Sequence, residues 1–360
     1  MIEERETAAA SGEPRRPRSR RRQVLQMGGS LALVVVIFVV VLPRIADFGE
    51  VWDRISDMTW LEAASLLLIA FWNVVTYCFV LVPTLPGLRY GQAFLVTQAS
   101  TAAANTLPAG AGIGIGVTWT MYSSWGFTRA EITLSVLLSG IWNVFAKLAL
   151  PVVALAALAV VGEATVGRLS AAAVGVGALV VSIALFAVML RSEGGAQRVG
   201  RFIDRFLVPL RRLTRRSPGA GIDAAVLDFR HRTIGVLRRN WLSLTVGTLV
   251  SHLSLYAVLL LTLRHVGVAE TDVGWAEVLA AFAFVRLVSA FPLTPGGLGV
   301  VELALTAALV AAGGDEEEVV AAVLIYRALT YALPVPLGGI SYLIWRAQTA
   351  RAAVRASVKP

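Results

Sequence analysis

The sequence predicts an all-α polytopic integral membrane protein. Three observations predict it. The chain of 360 residues is 57% hydrophobic and only 15% charged. Its mean hydropathy is +0.72, and its apolar residues gather in runs of membrane-crossing length. Soluble globular chains carry about 25% charge, so water is the wrong solvent for this composition. The expected architecture is about six full spans plus two Gly/Pro-broken re-entrant hairpins in an inverted repeat.

Residues 1–23 are polar and end in Arg15, Arg16, Arg18, Arg20, Arg21 and Arg22. Val24 to Leu42 then runs without a charge, long enough to cross a hydrocarbon core at about 1.5 Å per residue. No small-residue cleavage site follows, which reads as an uncleaved anchor rather than a signal peptide. Further spans are expected at Trp60 to Val82, Ile132 to Val160, Ala171 to Leu190, Trp241 to Leu263 and Val319 to Trp345. Two apolar stretches are broken: residues 93–125 by NTLPAGAGIGIG (Asn105 to Gly116), and residues 275–312 by FPLTPGGLG (Phe291 to Gly299).

Short loops rich in Lys and Arg stay cytoplasmic. The arginine cluster therefore places the N-terminus inside. The segment Arg44 to Thr59, with Asp47, Glu50, Asp53 and Asp57, falls outside. Residues 191–240 hold twelve arginines against four acids and form a cytoplasmic loop. Gly313 to Glu318 (GGDEEE) is outside, and the basic tail 346–360 is inside. The expected location is a bacterial plasma membrane, with a transmembrane domain over 24–345 between cytoplasmic tails. These placements agree only if each broken segment leaves on the side it entered. Residues 93–125 then open from the cytoplasm and 275–312 from the exterior. Trp60 to Val160 and Trp241 to Trp345 thus read as upside-down copies.

Paired interrupted segments in two halves point to a transporter site near the bilayer midplane. Irregular backbone at membrane depth persists only where protein buries it or a wet cavity accepts it. A Gly-rich turn entering a helix offers free N–H groups and a positive dipole end, which suit a phosphate. Tight helix packing is the other reading of such glycines, and it weighs most for the alternating glycines of the first break. Asn105, Pro108, Gly110 and Gly112 are its candidate residues.

FPLTPGGLGVVE (Phe291 to Glu302) resembles the Pro-x-x-Pro-Gly-Gly-Leu-Gly-x-x-Glu signature of the flippase-like transmembrane family, named for the membrane domain of lysylphosphatidylglycerol synthase, the multiple peptide resistance factor. The resemblance covers roughly residues 25–345. It implies that Pro292, Pro295, Gly296, Gly297, Gly299 and Glu302 hold the motif positions. It also implies movement of a phospholipid or lipid-linked headgroup, aminoacylated phosphatidylglycerol included, between leaflets. The first hairpin departs from the family, whose members often carry a Gly-Glu pair and an Arg where this chain has PAGAGIGIGVTWTMY. The chain stops at Pro360 without the soluble synthase domain, so a divergent stand-alone member that does not synthesise the lipid is expected.

Ionisable residues at membrane depth are functional candidates. Glu302 follows Gly299 by three residues, where a carboxylate favours the dipole; it either caps the turn or binds a cation or proton. Arg286 either pairs with Glu302 or grips a phosphate through its planar fork. Arg327 either acts at the site or snorkels to the interface. Lys147 is the nearest basic group of the first half. Asn73, Gln98, Asn143 and His252 read as helix-to-helix hydrogen bonders, as Asn105 also can. Interfacial anchoring explains Trp52, Trp60, Trp241 and Trp345.

Cys78 is the single cysteine, and His231, His252 and His265 lack metal-ligand spacing, so no metal or cofactor is expected. Phe202 to Arg216 has apolar residues at helical spacing among arginines, which suits an anionic membrane surface. Nucleic acid fits less well, because the arginines flank spans. The partners expected are membrane lipids, with a homo-oligomer left open. No nucleotide-binding loop is present, so movement would be passive or gradient-driven, with Glu302 the candidate carrier. Two other functions compete: an intramembrane transferase on a lipid-linked substrate, which needs a positioned base, and a scaffold using the arginine-rich loop.

Overall fold

The computed structural model describes residues 56–107, 110–162, 166–198, 200, 222–289 and 294–358. The expected span Val24 to Leu42, the basic stretch Phe202 to Arg216, Trp52, Pro108 and Pro292 lie outside them. Among the described residues every regular element is helical. The helices are α1 (Trp60–Thr76), α2 (Cys78–Thr84), α3 (Tyr90–Thr106), α4 (Gly110–Ser124), α5 (Arg129–Val160), α6 (Val166–Arg191), α7 (Ile222–Val266), α8 (Trp275–Val288), α9 (Val300–Ala311), α10 (Glu316–Arg327) and α11 (Pro334–Val358). A 3-10 turn (Pro295–Gly297) precedes α9, and a π-helical turn (Ala328–Ala332) joins α10 to α11.

Four helical stretches are long and apolar enough to cross a membrane: Trp60–Thr84, Arg129–Val160, Val226–Val266 and Glu316–Arg351. Their outward faces are apolar. On α7, Leu242, Val246, Leu249 and Leu253 are exposed at helical spacing, a stripe that water would penalise and lipid accepts. Capping boxes start α1 and α5, where Thr59 pairs with Glu62 and Thr128 with Glu131.

Two helix pairs turn back on themselves. In α3–α4, a Cβ at Gly110 or Gly114 would strike the carbonyl oxygen of Ala104 or Ser100 respectively. The falling partner number along a rising chain marks the two arms as antiparallel and close. In α8–α9, Gly313 and Gly314 return beside Asp272 and Val273, next to where α8 began. At 1.5 Å per residue, the 12 residues of α9 span only ~18 Å, short of a ~30 Å hydrocarbon core. The halves interlock reciprocally: α3 packs along α11, the last helix of the second half, and α8 packs along α5, the last helix of the first.

Three expectations are corrected. Residues 222–240 are not loop but the first turns of α7, a single helix of 45 residues. This stretch holds no proline and one glycine, and its charges do not oppose helix formation outside the bilayer. The last span is not a uniform helix: Pro334 lacks the N–H that would continue the α ladder, and the chain widens into a π turn, Leu333 N–H donating to the Ala328 carbonyl. The acidic run of residues 313–318 is only half loop, since Asp315 caps α10 and Glu316, Glu317 and Glu318 fill its first turn, where the helix dipole favours them.

Candidate functional site

The two breaks meet. The tip of α3 lies against the glycine turn before α9, with a Cβ at Gly296 falling within reach of Asn105 Oδ1 and overlapping the Tyr331 ring. Asn105 and Tyr331 are bonded twice: the Tyr331 hydroxyl donates to the Asn105 carbonyl (2.6 Å), and Asn105 Nδ2 donates to the Tyr331 carbonyl (3.3 Å). The π turn makes this possible by carrying Thr330 and Tyr331 to the level of both tips.

Gly296, Gly297 and Gly299 have φ of 60°, 71° and 78°, left-handed backbone that residues with a Cβ rarely adopt. The turn closes on itself: Gly297 N–H donates to the Thr294 carbonyl, and Thr294 Oγ1 donates to the Leu298 carbonyl at 2.8 Å. Pro295 opens the 3-10 turn. The motif's glycines therefore have a conformational cause.

Glu302, in the first turn of α9, is buried, and its Oε1 accepts from Arg327 Nε at 2.7 Å. Arg327 Nη2 also donates to the Gly296 carbonyl (3.1 Å), and its guanidinium lies 4.6 Å from the Tyr331 ring centroid. Arg327 is thus drawn inward rather than snorkelling, and its pairing with Glu302 corrects the alternative in which Arg286 is the partner. α10 runs beside α9 and delivers Arg327 to the turn, whereas Arg286 sits on the other arm. Glu302 Oε2 is buried with no hydrogen-bond partner.

Arg286 occupies the centre. Its Nε is buried without a hydrogen-bond partner, and among the described residues no carboxylate pairs with it. It lines two cavities. One, of about 220 Å3, is bordered by Asn73, Tyr77, Asn143, His252 and Thr330. The other, of about 110 Å3, reaches Ser289, Gly296 and Arg327. Lys147 lies within electrostatic range of Arg286 and His252. Asn105, Gly296, Glu302, Arg286 and Arg327 thus converge, with Lys147 flanking them. Gly110 serves the packing of the first hairpin, and Gly112 faces open space.

Asn73 bridges α1 to α7 through Ser254 Oγ (2.8 Å), and Gln98 Nε2 reaches the Val74 carbonyl (3.4 Å). His252 differs from the expectation: Nδ1 bonds the Thr248 carbonyl of its own helix, and Nε2 is buried without a partner. Trp345 is no interfacial anchor, being buried with its indole N–H on Ser124 Oγ (2.8 Å). Trp60 and Trp241 are exposed. Sequence reasoning passed over Tyr77, Thr97 and Thr330 as site residues. Pro83, six residues after Tyr77, and Pro334, four after Thr330, were the signals in the sequence; nothing there marked Thr97.

The family model of the lysylphosphatidylglycerol synthase TM region matches residues 29–338. The chain belongs to this family. No curated protein matches it. The match covers both hairpins and everything described up to the start of α11, so the membrane domain of the synthase family supplies the frame in which these polar groups sit. As a member, the chain is a multi-pass membrane protein related to lipid-headgroup handling.

Proposed function

We propose that this member of the lysylphosphatidylglycerol synthase TM family moves a phospholipid or lipid-linked headgroup between leaflets, with its anionic portion docking at Arg286. The observation that carries the reading is a half-buried guanidinium whose Nε is fully enclosed and which has no carboxylate partner among the described residues, set between cavities at the meeting of two hairpin tips. An uncompensated charge in that setting is costly, and a phosphate from the substrate offsets the cost while bound. In this reading α3–α4 and α8–α9 are re-entrant from opposite faces, and both termini are cytoplasmic in a bacterial plasma membrane. The lipid tails stay in the bilayer as the headgroup passes between the tips. Membrane lipids are the partners, and no nucleic acid, metal or cofactor takes part. Transferase chemistry is disfavoured because Glu302, the carboxylate at the tips, is engaged by Arg327.

Reconstitution tests this directly. Vesicles holding the purified chain and acyl-chain-labelled phospholipid are exposed to an impermeant reductant. Bleaching should exceed that of protein-free vesicles and fall to the protein-free rate in Arg286→Ala. Bleaching equal to protein-free vesicles across anionic lipids sinks the proposal.

A further inference from the structure

A third cavity, of about 350 Å3, lies between α2, α3, α4 and α5 and adjoins the cationic centre through Tyr77, Thr97 and Thr101, which line both. Its chemistry is different. No charged side chain lines it; Leu81, Val96, Ile115 and Val136 make much of its wall apolar, and its polar groups are hydroxyls. Several of these donate to their own helix, as Ser100 does to Thr97 and Ser139 to Ser135, which leaves their oxygens as acceptors. Two do not. Thr97 Oγ1 is buried without a partner, although a helical threonine ordinarily bonds the preceding turn. The fully buried Tyr122 hydroxyl faces Ser135 without closing a hydrogen bond. Toward Tyr122, Ser135 can act only as an acceptor, because Thr84 gives its own proton to the Leu81 carbonyl and so receives that of Ser135.

We infer that this cavity receives the uncharged polyhydroxyl part of a headgroup whose phosphate lies at Arg286, so that the substrate class is a polyol phosphodiester lipid rather than a cationic aminoacyl one. The inference rests on the headgroup reading above and specifies it. A ligand with several hydroxyls both donates and accepts, and so completes Thr97 and Tyr122 together with the acceptor oxygens around them. A terminal ammonium would meet a net positive centre among the described residues. Arg286, Arg327 and Lys147 stand there against Glu302 alone, whose Oε1 is held by Arg327, so the centre is net positive even though Glu302 Oε2 is unpartnered. In the sequence, residues 108–109 between α3 and α4 (Pro-Ala) and 290–293 before Thr294 (Ala-Phe-Pro-Leu) carry no acid.

Binding of four lipids to the full chain in mixed micelles, read by native mass spectrometry, tests this. The probes are phosphatidylinositol and phosphatidylglycerol as polyol phosphodiesters, phosphatidic acid without the polyol, and lysylphosphatidylglycerol with the added ammonium. The polyol lipids should bind at least tenfold more tightly than lysylphosphatidylglycerol. Thr97→Val and Tyr122→Phe should each weaken the polyol lipids about three- to tenfold while leaving phosphatidic acid unchanged, the range one lost hydrogen bond allows. Both variants remove an unpartnered buried hydroxyl, so their thermal midpoints should hold or rise, separating lost recognition from lost folding. Equal binding of lysylphosphatidylglycerol and phosphatidylglycerol overturns the inference, as does unchanged polyol binding in both variants. Selective binding without leaflet exchange removes only the translocation reading; exchange of every lipid without selectivity removes only this inference.

Discussion

The Glu302–Arg327 pair is the closest electrostatic contact at the meeting of the tips, and it is nearly dry. Removing one member of a buried pair strands the other charge, at a cost of about 3–5 kcal/mol. Glu302→Ala and Arg327→Ala should each lower the thermal midpoint in detergent by that measure. The double variant should lose less than the sum, because neither charge is then stranded. Strict additivity would show that the pair contributes nothing as a pair. Gly296 offers a second test at this scale. Alanine there meets the Tyr331 ring and a φ of 60° together, so Gly296→Ala should destabilise the chain by about 1–3 kcal/mol, read from the same melting curves. The sequence exposed Glu302, Arg286 and Arg327 as ionisable groups in apolar runs. It did not reveal their pairing, because the arm that carries each charge past the glycine turn is set by packing between helices.

At the scale of elements, the two hairpins use glycine differently. The PGGLG turn needs it for left-handed backbone. In α4 it serves close approach on one side only: Gly114 faces the carbonyl of Ser100, while Gly112 has nothing within 4 Å. Gly114→Ala should therefore loosen the α3–α4 pair and lower stability. Gly112→Ala should be neutral or raise it by up to about 1 kcal/mol, as for glycine in any open helix position. Equal losses in the two melts would contradict the assignment of faces. The alternation of glycines was visible in the sequence, and both packing and anion binding accounted for it. Only the hairpin geometry separates Gly110 and Gly114 from Gly112. Hydropathy located the spans of α1, α5, α7 and the last helices because it reports where lipid is tolerated. It was silent on α7 before Trp241, where the helix continues past its apolar stretch, and on the π turn at residues 328–332, which depends on Pro334 and on Tyr331 finding Asn105.

Across the whole molecule, reciprocal packing of each half's hairpin on the other half's last helix places both glycine-rich breaks in one interior. The paired breaks themselves announced this interior in the sequence, since chain irregularities at membrane depth need burial or water. The hydroxyl-lined cavity had no such signal. Serines and threonines scattered over α3 and α5 look like ordinary helix residues until the bundle turns them toward one space. The account's central claim is that a lipid headgroup enters that interior and meets Arg286. A phospholipid carrying a photoreactive group on its headgroup, irradiated with the reconstituted chain and mapped by peptide mass spectrometry, tests it most directly. The predicted adducts fall on α8 and the π turn, near Ser289 and Thr330; they are displaced by unlabelled phospholipid and lost in Arg286→Ala. Adducts confined to outward residues such as Leu67, Leu68 and Phe71 would contradict the claim.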